Sequence, residues 1–292
     1  MSVVPPTIGI DVGGSSVKAA MLVAGRPSVT AQSDRYDAPT FEELRGAVKT
    51  AITRLGPEAQ GVTRAGLCIP GVRDCEGLTI VESVNLPAVV GVRIDVLLRD
   101  ACGRAMNLAA VVSDVHAAAV DIHACRPEPG RLLVIAMGTG VGACVLDNGK
   151  LFTVAGASSG HVGQMDVSLD IPGEEPPLGR DGGRGSLEAY VGLPALEARY
   201  GRHLEHVVAV LDETSPPLLA LARAVRICHA IYRPDCVTLA GGVGAMLAGK
   251  LELLRSMIGR DLTRLARPSW RLEAASNVFH AAVGAARVAA AA

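Results

Sequence analysis

The stretch Asp11-Val12-Gly13-Gly14-Ser15-Ser16-Val17-Lys18 decides how this chain folds. It lies between two short apolar runs, Thr7-Ile8-Gly9-Ile10 and residues 17–23, whose branched side chains and punctuating glycine read as β-strands. A strand, a Gly-Gly-Ser-Ser turn and a second strand make a tight hairpin. The backbone N–H groups and hydroxyls of such a turn can wrap an anion, with the Asp11 carboxylate at its mouth. Nucleotide phosphates with a magnesium ion suit that arrangement, and an ordinary glycine hairpin fits the same residues equally well. The rest of the chain has to choose.

Residues 132–137 and 141–146 repeat the pattern through Gly138-Thr139-Gly140, and Gly138 stands 125 positions after Gly13. Two similar hairpins, each opening a new α/β unit, predict two related lobes with a ligand cleft between them. Helical spacing or composition predicts helices over 41–55, 95–102, 114–125, 187–200, 216–232, 245–258 and 278–292. Further short strands are expected at 29–33, 65–69, 109–112 and 237–240, and Ser113 stands where it can cap the helix that Asp114 opens. Residues 170–185, rich in Pro, Gly and charge, read as a surface loop.

The chain has 292 residues, of which 49% are hydrophobic and only 3% aromatic, so a large core must be built from Ala, Val and Leu. Net charge is −1 with no basic tract, which argues against a nucleic-acid surface. No apolar run reaches the roughly 18 residues a membrane span needs. The N-terminus lacks the basic and long apolar segments of a signal peptide, so a cytoplasmic location is the expectation. The seven cysteines are an odd number with no C-x-x-C pair, so neither a disulfide framework nor a cysteine metal site is indicated.

Three glycine-rich elements each follow a short buried strand: Asp11-x-Gly13-Gly14-Ser15-Ser16, Gly138-Thr139-Gly140-x-Gly142 and Gly241-Gly242-x-Gly244. Asp114 sits at a strand-to-helix junction between the first two. In this order they resemble the sugar kinases of the ROK family, within the actin/hexokinase/Hsp70 superfamily of ATPases. The resemblance covers nearly the whole chain. It includes Ile69-Pro70-Gly71, Asn85-Leu86-Pro87, Ser113-Asp114-Val115-His116, Gly160-His161-Val162-Gly163-Gln164, Gly185-Ser186-Leu187-Glu188 and Ala282-Val283-Gly284-Ala285. It implies an α/β, two-lobed actin-like ATPase (ribonuclease H-like) fold, two related domains with a central cleft. The first lobe would span 1–113 and the second 114–277, with the closing helix 278–292 packed back onto the first.

The resemblance also implies roles. The turns Gly13-Gly14-Ser15-Ser16 and Gly138-Thr139-Gly140 would cradle the β- and γ-phosphates of ATP. Gly241 and Gly242 would let the backbone pass close to the adenosine and α-phosphate, and Asp11 would hold Mg²⁺ through water. Lys18 faces the phosphates or is a solvated strand lysine. Asp114 would accept the proton of the attacking hydroxyl, whereas such a carboxylate taken alone is more often a helix cap. Asn85, Ser113, Asp114, His161, Gln164 and Glu188 would meet the substrate. The expected partner is a small-molecule sugar or cyclitol, with no nucleic acid and no membrane. Relatives are commonly dimers, so a homodimer is expected.

Typical members carry Asn-Asp where this chain has Ser113-Asp114, and Gly-Glu-x-Gly-His where it has Gly160-His161-Val162-Gly163-Gln164. Their zinc motif, C-x-C-G-x-x-G-C, appears here as Gly179-Arg180-Asp181-Gly182-Gly183-Arg184-Gly185-Ser186. Without those thiolates and the histidine, no structural zinc is expected. A site built for particular hydroxyls rejects ligands that leave its groups unpaired, so the substrate is open among glucose, an amino sugar, a modified hexose and a cyclitol. His161 is a substrate contact or an ordinary structural histidine. The expected activity is ATP-dependent phosphorylation of a hexose-like hydroxyl with Asp114 as general base. The alternatives are a kinase of a non-sugar alcohol in the same superfamily and a non-catalytic sugar-binding sensor. A sugar-responsive repressor is disfavoured, because family repressors carry an N-terminal helix-turn-helix and the first strand here begins near Thr7.

Overall fold

Every residue of the first strand, β1 (Thr7–Val12), is buried, as its Ile8-Gly9-Ile10 centre demands of a strand covered on both faces. A computed structural model of the chain describes residues 5–84, 86–154, 158–180 and 182–292. Asn85, one of the expected substrate contacts, lies outside the described residues. After β1 come β2 (Val17–Leu22), β3 (Val29–Gln32), α1 (Phe41–Arg54), β4 (Arg64–Cys68), β5 (Val72–Arg73), β6 (Ile80–Glu82), α2 (Ile94–Cys102), β7 (Asn107–Val112) and α3 (Asp114–Cys125). Thr40 and Glu43 start α1 with a reciprocal capping box, and Gly103, at φ 63, closes α2 in the left-handed region.

The second half holds β8 (Arg131–Met137), β9 (Val141–Asp147), β10 (Lys150–Leu151), α4 (Leu187–Val191), α5 (Leu193–Tyr200), α6 (Leu204–Val210), α7 (Pro216–Tyr232), β11 (Cys236–Ala240), α8 (Gly241–Met246), α9 (Leu251–Arg260) and β12 (Arg271–Ala274). The chain closes with α10 (His280–Ala291). The first five-stranded sheet runs β3-β2-β1-β4-β7, two antiparallel pairings followed by two parallel ones. The second runs β10-β9-β8-β11-β12 with the same sequence of pairings. The repeat expected from the two glycine hairpins is therefore a repeat of whole sheets. β5 and β6 form a separate two-stranded pair.

Two compact units result, Met1–Cys125 with Phe279–Ala292, and Arg126–Val278. The first buries Ile8, Ile10, Leu44, Leu67 and Leu97, and the second buries Leu133, Ile135, Leu221 and Leu239. The boundary falls after Cys125 rather than after residue 113, so α3 belongs to the first unit, a correction to the expected lobes. The reason is its tie to α10. Asp121 of α3, 3% exposed, lies 2.6 Å from His280 Nδ1 and accepts from Arg287 Nε at 2.7 Å. α10 also lies directly on backbone. A Cβ on Gly9, Gly66 or Gly284 would stand 1.9, 2.1 or 1.7 Å from the carbonyl oxygens of Ala282, Ala285 and Ala117 respectively.

Other expectations need adjusting. The helix expected over 187–200 is two helices, because the chain is extended at Gly192 and Pro194 starts the next one. The helix expected over 245–258 begins earlier, at Gly241, and passes through a 3₁₀ turn at Leu247–Lys250. Strand β12 escaped sequence reasoning because Leu272 is its only fully buried residue, too little for a readable alternation.

One buried group carries a stability prediction. His229 on α7 is 1% exposed, neither ring nitrogen has a hydrogen-bond partner among the described residues, and its ring meets Trp270 edge-on at 4.7 Å. Burial lowers its pKa from 6.5 to about 4. The unfolded chain therefore takes this proton at higher pH than the folded one. Stability contributed by the neutral ring is present above about pH 6.5 and is lost as pH falls towards 4, by about 3 kcal/mol in all. His229→Leu should flatten the thermal-unfolding midpoint across that window. A variant that keeps the wild-type slope would contradict this assignment.

Candidate active site

Parallel pairing brings the first group of predicted residues together. In register, Asp11 of β1 lies beside Cys68 of β4, and Cys68 beside Val112 of β7, so three parallel strands end along one edge of the sheet. From that edge the chain turns into the Gly-Gly-Ser-Ser hairpin after Val12 and into Ser113 and α3 after Val112. The carboxyl ends of parallel strands are where open α/β sheets bind ligands. Cys68, buried at this edge, has its thiol pKa pushed well up by burial, then by the Asp11 and Asp114 carboxylates, which both act on it.

Asp11 is 7% exposed, and Lys18 is its antiparallel neighbour across β1 and β2. Lys18 Nζ stands 3.5 Å from Asp11 Oδ2, and Oδ1 accepts no hydrogen bond among the described residues. Lys18 is thus turned to the site rather than to bulk solvent, with a side chain only 20% exposed. A half-committed carboxylate is a donor set of the hard-oxygen kind that suits Mg²⁺ with retained waters. The turn itself is closed by Gly13 N–H donating to Ser16 C=O at 3.1 Å. The N–H groups of Gly14, Ser15 and Ser16 have no acceptor among the described residues, which leaves three donors that an anion can take.

At the start of α3 the capping bond comes from Ser113, whose Oγ accepts from His116 N–H at 3.3 Å. Asp114 Oδ1 accepts from Val115 N–H at 2.7 Å, and Oδ2 makes no hydrogen bond among the described residues. Packed protein around Asp114 raises its pKa above 3.8, Asp11 pushes the same way, and the Val115 N–H and Lys18 oppose them. Asp114 nevertheless keeps an exposed face.

A second group forms in the Arg126–Val278 unit around Val141, the first residue of β9. The turn Gly138-Thr139-Gly140 is closed by Gly138 N–H on Gly140 C=O at 2.9 Å, as the first turn is closed by Gly13. Glu188 of α4 accepts from Val141 N–H through Oε2 at 2.8 Å, and Oε1 makes no hydrogen bond among the described residues. The turn carrying His161 and Gln164 packs on the same residue, since a Cβ on Gly163 would stand 2.1 Å from Val141 C=O. Both of those side chains are exposed and make no hydrogen bond to the described residues. Gly241, at φ +78, packs its backbone against Met137 just before the turn, where a Cβ would meet the Met137 carbonyl oxygen at 2.3 Å. Gly242 beside it is exposed with open space around it.

Thr139 and Glu188 also line one pocket of about 410 Å³ with Leu178, Arg180, Pro194 and Arg199, residues that sequence reasoning did not single out. Arg180 belongs to residues 179–186, the segment that the resemblance sets against a zinc motif. Here that segment is closed by its own backbone: Gly179 N–H donates to Gly183 C=O at 2.6 Å, and Gly185 N–H to Pro177 C=O at 2.9 Å. Gly185, at φ +70, takes a left-handed backbone conformation that glycine adopts without strain. Asp181 falls outside the described residues, and among those described no three His, Cys, Asp or Glu side chains cluster as a metal site.

The family model for the ROK family matches residues 7–292. The chain belongs to the ROK family. An N-acetylmannosamine kinase from Escherichia coli O157:H7 is 28% identical over 275 residues, covering 87% of this chain and 89% of that protein. Among solved structures, the ROK hexokinase from Thermus thermophilus is 25% identical, covers 97% of both chains and superposes with a TM-score of 0.70. A ROK-family glucokinase from Streptomyces griseus, solved with glucose and AMPPNP, is 18% identical with a TM-score of 0.75 over 98% of this chain and 100% of that one. The fold of this ROK-family protein is accordingly the actin-like ATPase fold, two related α/β units, and the three relatives just named are sugar kinases. Among the described residues, no helix is long and apolar enough to cross a membrane.

Proposed function

We propose that this ROK-family protein transfers the γ-phosphoryl group of ATP to a hydroxyl of a hexose-like substrate, with an N-acylated amino sugar as the leading candidate. The observation that carries the reading is Asp11 and Asp114 at one edge of the first sheet, beside a turn with three uncommitted N–H groups. Phosphoryl transfer asks little covalent chemistry of the protein: it needs positioned charge on the phosphates and a base at the attacking hydroxyl. Gly13, Gly14, Ser15, Ser16 and Lys18 suit phosphate oxygens. Asp11 suits Mg²⁺, which when bound neutralises phosphate charge. Asp114 has one oxygen committed to Val115 and the other available to take the hydroxyl proton.

In the other unit, Gly138, Thr139 and Gly140 form a second phosphate turn, with Gly241 and Gly242 on the nucleotide. Ser113, Glu188, His161 and Gln164 would orient the substrate. His161 and Gln164 offer donors where typical members place a glutamate and a histidine. An N-acyl carbonyl is an acceptor that such donors can meet, and the similarity to N-acetylmannosamine kinases supports the same substrate class. The test is ADP release with Mg-ATP over a panel of hexoses, N-acylated amino sugars, cyclitols and simple alcohols. The reading predicts stimulation above sugar-free hydrolysis, greatest with an N-acylated amino sugar. Release that stays at the sugar-free rate across the panel would overturn it, and stimulation by a non-sugar alcohol alone would replace it with another kinase of the superfamily.

A further inference from the structure

The first phosphate turn is held from outside by the end of β3 and the segment that follows it. Tyr36 Oη donates to Gly13 C=O at 2.5 Å, and Tyr36 N–H donates to Ser15 C=O at 3.0 Å. Gln32 Nε2 donates to Ser16 Oγ at 2.8 Å, and Ser33 Oγ accepts from Val17 N–H at 2.9 Å. A trans peptide is planar, with its C=O and N–H pointing in opposite directions. Fixing the Gly13 carbonyl on Tyr36 therefore aims the Gly14 N–H away from Tyr36, and fixing the Ser15 carbonyl does the same for the Ser16 N–H. Those are two of the three uncommitted donors of the turn. A Gly-Gly peptide has no side chain to hold its plane, and rotates freely unless something pins it.

We infer that Tyr36 is a positioning residue for the nucleotide's terminal phosphates, acting through the Gly13–Gly14 peptide. The inference rests on the proposed kinase function only in taking the turn as a phosphate site. The hydroxyl remains a donor at physiological pH, since burial, and next the Asp11 carboxylate, hold its pKa above the usual tyrosine value. Tyr36 also connects the turn to β3, so the turn's shape is set by the sheet rather than by its own four residues.

Tyr36→Phe keeps the ring and removes only the donor. Calorimetric titration of wild type and variant with Mg-ATP and with AMP separates the roles, because AMP lacks the phosphates in question. The inference predicts a loss of about 3- to 10-fold in Mg-ATP affinity, the worth of one hydrogen bond, with AMP affinity and melting temperature unchanged. Equal Mg-ATP affinity in the two proteins overturns the inference and leaves the kinase reading standing. Equal losses for Mg-ATP and AMP also overturn it, since they mark a general structural role. A wild-type protein that binds neither ligand overturns both the inference and the proposed function. Differential loss without sugar phosphorylation supports Tyr36 and removes only the kinase reading.

Discussion

Asp114→Asn is expected to lower sugar phosphorylation by about 10²–10⁴-fold, the usual contribution of a positioned general base, without unfolding the protein. The Asn side-chain oxygen can still accept from Val115 N–H, as Oδ1 does now at 2.7 Å. The Ser113 cap on His116 is untouched. Loss of the base should appear in kcat, with Mg-ATP affinity nearly unchanged, because Asp11, Lys18 and the glycine turn are all retained. The pH dependence follows from the raised pKa of Asp114. A base works deprotonated, so wild-type kcat should fall on the acid side at a pH above the ordinary aspartate value of 3.8. That limb should disappear from the residual activity of the Asn variant. Stopped assays at saturating ATP and sugar from pH 4 upward measure both effects. An Asn variant with wild-type kcat would remove Asp114 from the chemistry.

The largest stability effect is expected at Gly284→Val. A Cβ there would stand 1.7 Å from Ala117 C=O and 2.4 Å from its carbonyl carbon, so it meets the backbone of α3 and not a side chain that could swing away. Overpacking against movable side chains costs about 1–3 kcal/mol. Here α10 itself must lift from α3, pulling His280 and Arg287 from the buried Asp121 carboxylate. A loss above about 3 kcal/mol and a melting temperature lower by several degrees are expected. Gly249→Ala is the contrasting variant, with nothing within 4 Å of its Cβ, and should stay within about 0.5 kcal/mol of wild type. Thermal unfolding of the two variants side by side decides the point; similar melting temperatures would mean that α10 does not pack as described.

Much of this architecture was legible because it is local. The Gly-Gly-Ser-Ser turn, its counterpart at Gly138-Thr139-Gly140 and the strand-to-helix junction at Ser113-Asp114 each occupy a few consecutive residues whose types dictate the backbone. The repeat of those turns also pointed to a repeat of sheets. What sequence reasoning missed is set by distant partners. Tyr36 acts on Gly13 from 23 positions away, and Glu188 holds Val141 from 47. α3 was expected in the second lobe because its membership depends on Asp121 meeting His280 and Arg287, 159 and 166 positions later. No periodicity within α3 encodes that choice. The break at Gly192 was hidden for another reason: the apolar residues on either side keep helical spacing through it, and only the extended backbone at Gly192 separates α4 from α5.

The central claim is that a sugar hydroxyl, activated at Asp114, takes the phosphoryl group of ATP. Phosphorus NMR of the protein with Mg-ATP and N-acetylmannosamine follows every phosphorus atom in that reaction at once. The account predicts a phosphate monoester resonance growing in step with ADP in the wild-type protein and nearly absent with Asp114→Asn. ADP accompanied only by inorganic phosphate, or an ester formed equally fast by the Asn variant, would contradict it.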